Sequence, residues 1–296
     1  VITKIPSLVI DGRCLFDRAW FASRSSEEFF DYPSHIVAAG CAIASLGALL
    51  GPGGRLAQEP THLLVSWDGK KAKTVKPRPA KDPSHAPDLA FFKELLPKLV
   101  GGATYEVPEG VFGESDDTVA TAVDLYGDTH SITILSSDKD LQQLVRDARY
   151  YNLLTQQEIR EEDVKKRWHL GRPSHLALYL ALEGDPKDGV DGVDGAGKVK
   201  TRALLEGIGD VPVADALDHV AAQLDPKQQK QLYASLELTL LRRDIPGVPA
   251  PAPIVLGGYD VLDEAGIVGT ARMVWGRLLG RMHAQKVEPS LAEREF

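Results

Sequence analysis

The strongest constraint on this chain is an alternation. Short apolar, β-branched runs at residues 7–10, 61–65 and 131–135 each stop at a polar or glycine-containing segment, which is the pattern of buried strands. Between them lie segments of helical period: 35–50 is rich in Ala and Leu, 88–100 has apolar residues at helical spacing, and 115–126 repeats that period after a carboxylate group. Strands alternating with helices predict an α/β domain with a mostly parallel sheet. From about residue 161 the strand signals fade, and 161–169, 173–182, 201–205, 213–224 and 227–243 carry helical patterns. The expected division is an α/β core over 1–160 and a helical portion over 161–296. The proline-rich stretch 246–253 is expected to be a linker or extended surface segment.

A parallel sheet puts the carboxyl ends of its strands on one edge, where ligands usually bind. Asp11 closes the first apolar run and Asp68 follows the second, each succeeded by Gly. Taken singly, Asp-Gly after a strand is most often a turn. Glu114, Asp116 and Asp117 open a helical segment, where carboxylates are stabilised by exposed amides and the helix dipole. Asp138 and Asp140 follow the third run, where Ser137 or Asp138 has the chemistry of an N-cap. The combination outweighs its parts, because all these acids share the predicted edge. Two carboxylates about 4 Å apart repel by roughly 4 kcal/mol at an effective dielectric of about 20. Such a gathering needs cations or protons, and oxygen-only ligands favour hard ions such as Mg²⁺ or Mn²⁺ over zinc. Spacing places Glu114 and Asp117 on one helix face and turns Asp116 elsewhere, toward a second ion or a bound water.

Residues 184–198 form a glycine-rich segment with Asp at 185, 188, 191 and 194. An EF-hand loop needs acids at every second position and a distant Glu, so a calcium loop of that kind is excluded. Taken alone, the segment is a flexible solvated loop. Helical patterns lie on both sides, however, and Gly192, Gly195 and Gly197 are followed by Lys198, Lys200 and Arg202. Backbone amides in such a turn can approach a phosphate, with a helix N-terminus and cations behind them. That is a clamp for one nucleic-acid strand, giving grip without sequence choice.

A net charge of −8 over 296 residues runs against the usual balance of a nucleic-acid binder, since phosphate contacts normally come from Lys and Arg. Distribution resolves this, because cations cluster at Lys70, Lys71, Lys73, Lys76, Arg78 and Lys81 and again at 198–202, apart from the acids. The chain is long enough for a sizeable core. Cys14 and Cys41 are its only cysteines, so neither a zinc site nor a disulfide framework has support. No apolar run reaches membrane-spanning length, and the N-terminus lacks the order of a secretory signal. The expectation is a cytoplasmic protein with no membrane partner.

These motifs together resemble the bacterial 5′-to-3′ exonuclease and flap endonuclease family, which includes the N-terminal nuclease domain of DNA polymerase I. Val-Ile-Asp11-Gly and Trp67-Asp68-Gly69-Lys70 are similar to its first two acidic motifs. Gly113-Glu114-Ser115-Asp116-Asp117 resembles its G-E-A-D-D, and Ser136 to Leu141 its S-x-D-x-D-L. Residues 184–198 resemble its helix-three-turn-helix element, expected over about 184–205. The match runs from about Ser7 to Arg243, with the motifs in the family's order. As the chain ends at Phe296, a stand-alone member is expected.

The resemblance implies a PIN-like α/β nuclease domain binding two or three Mg²⁺ or Mn²⁺ ions. Asp11, Asp68, Glu114, Asp116 and Asp117 would hold the first group, and Asp138, Asp140, Asp185 and Asp188 the second. It also implies a K⁺ ion on backbone carbonyls of the helix-three-turn-helix. Lys76 and Arg78 are candidates for charge stabilisation at the scissile phosphate, while Lys70, Lys71, Lys73, Gly192, Gly195, Gly197, Lys198, Lys200 and Arg202 are candidates for DNA contact. Relatives carry a longer helical arch after the second acidic motif. Here only residues 70–75 intervene, and prolines at 77, 79, 83 and 87 oppose a long helix, so a stunted arch is expected. The implied substrate is branched or nicked DNA with 5′ single-stranded flaps, in replication and repair, with replication or repair proteins as partners and a monomeric enzyme. A PIN-fold ribonuclease or an RNase H-like activity would use the same acids. A non-catalytic nucleic-acid binding module has little reason to gather so much negative charge, and a small-molecule phosphatase predicts no glycine-rich clamp.

Overall fold

The structure is a computed structural model that describes residues 3–24, 33–69 and 85–292, the side chains as far as residue 284. Its centre is strand β1 (Ile5–Asp11), in which Leu8, Val9 and Ile10 are wholly buried. Strand β2 (His62–Trp67) lies parallel to β1 on one side, and β3 (Ala103–Glu106) lies parallel beyond it. On the other side come β4 (His130–Ser136) and β5 (Arg149–Asn152), both parallel, and then the antiparallel β6 (Gln157–Ile159). The order β3-β2-β1-β4-β5-β6 makes the boundary between β1 and β4 the point where the winding reverses, which is where open α/β sheets hold ligands.

The mostly parallel α/β expectation holds, and the helices 34–49, 85–100 and 115–126 fall where their periodicity predicts. Helix α1 (Gly12–Arg24) was hidden by the Asp-Gly signal, which reads as a turn. The helix starts directly at the strand end, because Asp11 Oδ1 accepts the Cys14 amide at 3.1 Å. Gly12 is required by close approach: a Cβ there would lie 2.7 Å from the Trp67 ring. Helices α2 (Ser34–Leu49) and α3 (His85–Val100) cover the same face of the sheet as α1, and their apolar side chains join one core with Leu8, Ile10, Val65 and Trp67. Helix α4 (Ser115–Tyr126) covers the opposite face, packing Val119, Ala120 and Val123 on Val9, Leu64 and Ile134.

After β6 the chain is helical: α5 (Glu161–Trp168), α6 (Leu176–Glu183), α7 (Lys198–Leu205), α8 (Val213–Ala221) and α9 (Pro226–Thr239). Leu176 to Leu182 are buried without a polar side on α6, because α7, α8 and α9 surround it in a second core. The proline-rich segment differs from expectation. Strand β7 (Ala252–Pro253) pairs antiparallel with His62 and Leu63 of β2, an edge position that a proline can occupy because its missing N–H is not needed there. Helices α10 (Tyr259–Glu264) and α11 (Gly269–Ala292) then return to the first core, burying Leu262, Trp275 and Leu278 with α2. Those residues, grouped by sequence with the helical portion, pack with the sheet domain. Among the described residues no helix is long and apolar enough to cross a membrane.

Candidate active site

The carboxyl ends of β1, β2 and β4 open onto a cleft of about 520 Å³, lined among others by Asp11, Asp68, Glu114, Asp116, Asp138 and Asp188. Acids from five separate segments of the chain thus face one space. Asp11 is at its floor, 7% exposed. Its Oδ1 accepts from the Cys14 amide and from Ser115 Oγ at 3.2 Å, and its Oδ2 from Ser136 Oγ at 3.3 Å. Burial, first, and the neighbouring charges of Asp68 and Asp138 push its carboxyl up to about 7, against the lowering effect of the Cys14 and Ser115 hydrogen bonds. Asp68 is held by the Ser115 amide at 3.0 Å, so the residue that opens α4 ties the first two acidic motifs together.

Glu114 and Asp116 line the cleft and Asp117 does not, which reverses the spacing argument. Glu114 is the N-cap of α4, outside the helix proper, and Asp117 is its third helical residue. A carboxylate at that position reaches back to the cap: Asp117 Oδ2 accepts the Glu114 amide at 2.9 Å, and Oδ1 accepts the Arg242 amide at 2.8 Å. Asp117 therefore fixes the helix start and the chain after α9, while Asp116 takes the place in the cleft.

The remaining acids form a second group. Asp138 Oδ1 accepts the Asp140 amide at 2.9 Å, which turns the chain after β4 so that Asp140 points inward, 2% exposed. Asp185 and Asp188 arrive from the glycine-rich turn, where Asp185 and Val190 exchange backbone hydrogen bonds at 2.8 and 3.0 Å. Ligand atoms of Asp140, Asp185 and Asp188 all lie within 4.8 Å of one another, and Asp138 and Asp188 join this group to the cleft. The donor set is carboxylate oxygen throughout, and Asp140 Oδ1 is buried with the Lys139 ammonium 3.6 Å away. Such a set fits a hard divalent cation.

The three glycines of the glycine-rich turn differ in their surroundings. Gly195 has φ of +73° with open space where a Cβ would go, and Gly197, which caps α7, has open space as well. Gly192 is packed instead: a Cβ there would meet the Gly184 amide at 2.7 Å. Lys198 and Lys200 are exposed at the start of α7. Arg202 turns inward, its Nε buried and its guanidinium beside the Tyr179 phenol. Lys70, Lys71, Lys73, Lys76 and Arg78 lie outside the described residues.

Sequence reasoning missed one wall of the cleft. Arg13, Cys14, Arg18 and Phe21 of α1 line it, and Asp17 fixes the helix by accepting from Arg13 Nε at 2.5 Å and pairing with His85 Nε2 at 2.6 Å. The available signal was the buried series Leu15, Phe16, Ala19, Trp20 and Ser23 at helical spacing.

A doubly wound sheet with its acids at the point of reversal and a helical portion beside it is a PIN-like α/β architecture. The flap endonuclease of bacteriophage T5, crystallised in complex with DNA and metal ions, has this fold: TM-score 0.56 at 18% identity, covering 93% of this chain and 98% of that one. Residues 6–169, more than half of the chain, match the family described as 5′-3′ exonuclease, N-terminal resolvase-like domain, and the chain belongs to this family. It is 27% identical over 273 residues to the 5′-3′ exonuclease of Streptomyces coelicolor, covering 83% of this chain and 87% of that protein. It is 32% identical over 208 residues to DNA polymerase I of Rhizobium leguminosarum, covering 67% of this chain but only 20% of that relative. The chain thus spans about a fifth of the polymerase it matches.

Proposed function

We propose that this protein is a divalent-metal-dependent, structure-specific 5′ nuclease that hydrolyses DNA phosphodiester bonds near junctions of single strand and duplex. The observation that carries the reading is the cleft at the β1/β4 boundary, into which Asp11, Asp68, Glu114, Asp116, Asp138 and Asp188 converge. Asp11, Asp68, Glu114 and Asp116 would hold one Mg²⁺ or Mn²⁺, and Asp138, Asp140, Asp185 and Asp188 a second. Two ions in such a site supply an activated water at neutral pH and charge stabilisation at the leaving oxygen.

The chain's own residues do the rest. Ser115 and the Cys14 amide keep the Asp11 carboxylate aimed into the cleft, and Asp117 holds the α4 terminus that presents Glu114 and Asp116. Lys198 and Lys200, with the amides around Gly195 and Gly197, grip the backbone of one strand, so that junction shape rather than base sequence selects the substrate. Carbonyls of that turn are the proposed seat of a K⁺ ion. Lys76 and Arg78 are proposed to contact the scissile phosphate, and Lys70, Lys71 and Lys73 the 5′ strand. The proposed working form is a cytoplasmic monomer acting in replication and repair.

A 5′-labelled DNA flap incubated with Mn²⁺, Mg²⁺ or a chelator tests this directly. The expected product is a short labelled fragment released only with the metals. No cleavage with either metal refutes the reading, and faster cleavage of a matched RNA flap replaces it with a ribonuclease.

A further inference from the structure

Lys139 stands inside the fourth acidic motif, and its ammonium lies among the carboxylates of the second group. It is 3.6 Å from Asp140 Oδ1 and 3.3 Å from Asp188 Oδ2, and it forms an ion pair with Asp185 Oδ2. These three acids are the ones whose ligand atoms lie within 4.8 Å of one another. They come from two separate segments, residues 138–140 after β4 and residues 185–188 after α6, and the lysine joins the two.

We propose that Lys139 is the resident counter-cation of the second acidic group: it holds Asp140, Asp185 and Asp188 together when no divalent ion is bound, and an entering ion must displace it. The inference rests on the nuclease reading above. Magnesium-sized ions bind carboxylate oxygen at about 2.1 Å, so opposite ligands stand about 4.2 Å apart. Oxygens that all lie within 4.8 Å of one another are near enough for one such ion to gather. A divalent ion seated among the same oxygens would stand beside the ammonium, where the two positive charges repel and compete for the same lone pairs.

The chemistry of the side chain suits this task. An ammonium is a compact charge on a flexible four-carbon stem, whereas a guanidinium would lock two carboxylates in a planar fork. Lys139 retains 30% side-chain exposure against 3% for Asp140. It also lines the substrate cleft, so a displaced ammonium has an exit toward the side from which an ion and a phosphate arrive. Asp140, enclosed as it is, has no such freedom and keeps its place whichever cation is present.

The test is an Mn²⁺ titration of wild type, Lys139→Met and Lys139→Arg, read by the electron paramagnetic resonance signal of free ion. Lys139→Met is expected to bind its weakest class of ions roughly tenfold or more tightly than wild type, a factor corresponding to about 1.4 kcal/mol. Lys139→Arg, which keeps the charge, should show no tightening. Unchanged or weakened binding in Lys139→Met overturns the proposal, as does equal tightening in both variants. A readout on the wild type guards against a variant that does not fold: acylation of the Lys139 amine, followed by mass spectrometry, should rise several-fold as Mn²⁺ saturates the weakest class. A constant acylation rate across the titration also overturns the proposal. Wild type that binds no Mn²⁺ at all removes the nuclease reading itself, a result distinct from ions that bind without disturbing Lys139.

Discussion

Replacing Asp11 with Asn should make the metal-free protein more stable while abolishing cleavage. Asp11 is 7% exposed, and its carboxyl is raised on folding from 3.8 to about 7 by burial first and by Asp68 and Asp138 second. The folded state therefore binds this proton more tightly than the unfolded chain does. The resulting stability is fully present below about pH 3.8 and is lost as pH rises through about 7. Above both values the charged carboxylate costs the metal-free fold on the order of 4 kcal/mol, at about 1.4 kcal/mol per tenfold change in proton affinity. Asparagine keeps the shape: its oxygen can still accept from Cys14 and Ser115, and its amide can face Ser136 Oγ. Chelator-treated wild type and Asp11→Asn are compared by urea unfolding at pH 5 and pH 8. The variant is expected to gain a few kcal/mol at pH 8 and distinctly less at pH 5, and to show no metal-dependent cleavage of a flap substrate. Equal stability of the two proteins at pH 8, or a variant less stable there, would refute the argument that these acids oppose folding until a cation joins them.

Asp116 and Asp117 should separate cleanly. Asp117→Ala leaves the Glu114 and Arg242 amides without their acceptor and should cost about 1–3 kcal/mol in denaturant unfolding, whereas Asp116→Ala should leave stability within about 0.5 kcal/mol and weaken Mn²⁺ binding by calorimetry. Gly12→Ala drives a methyl against the buried Trp67 ring and should destabilise by about 1–3 kcal/mol; a melting temperature equal to wild type would show that the ring yields. Lys200→Ala should weaken binding to flap DNA at low salt and lower the slope of log K against log[salt] by about one, and an unchanged slope would argue against phosphate contact at the start of α7.

Much of this architecture was legible from the residues because the deciding signals are local. Strands β1, β2 and β4 are buried on both faces and therefore appear as short, mostly apolar runs. The acids could be placed on one edge from strand direction alone. What escaped depends on contacts distant in sequence. That Gly12 serves close packing rather than a turn is decided by Trp67, 55 residues away, whose ring leaves no room for a Cβ there. The roles of Asp116 and Asp117 exchange because Arg242, at the far end of α9, supplies an amide that a helix-face argument does not contain. Likewise Pro253 joins the sheet only because β2 has a free edge beside His62 and Leu63. Arg202 looked like its exposed neighbours in sequence and turns inward because Tyr179 lies beneath it.

The seam between sheet and helices is what gives the second acidic group its position. Gln143 Nε2 donates to the Thr239 carbonyl at 2.9 Å, Trp168 Nε1 to Gln142 Oε1 at 3.2 Å, and the Arg242 amide to Asp117. These bonds attach both ends of the helical portion to the segments that carry Asp116 and Asp140. The turn that bears Asp185 and Asp188 follows α6 inside this framework, and the ion pairs of Lys139 with both acids join it to the segment after β4. Its glycines and Lys198 then follow at a fixed distance along the chain from those two acids. On the proposed function, a strand gripped by that turn would be delivered to the cleft by the same framework that assembles the carboxylates, so loss of the seam should impair metal binding and DNA binding together.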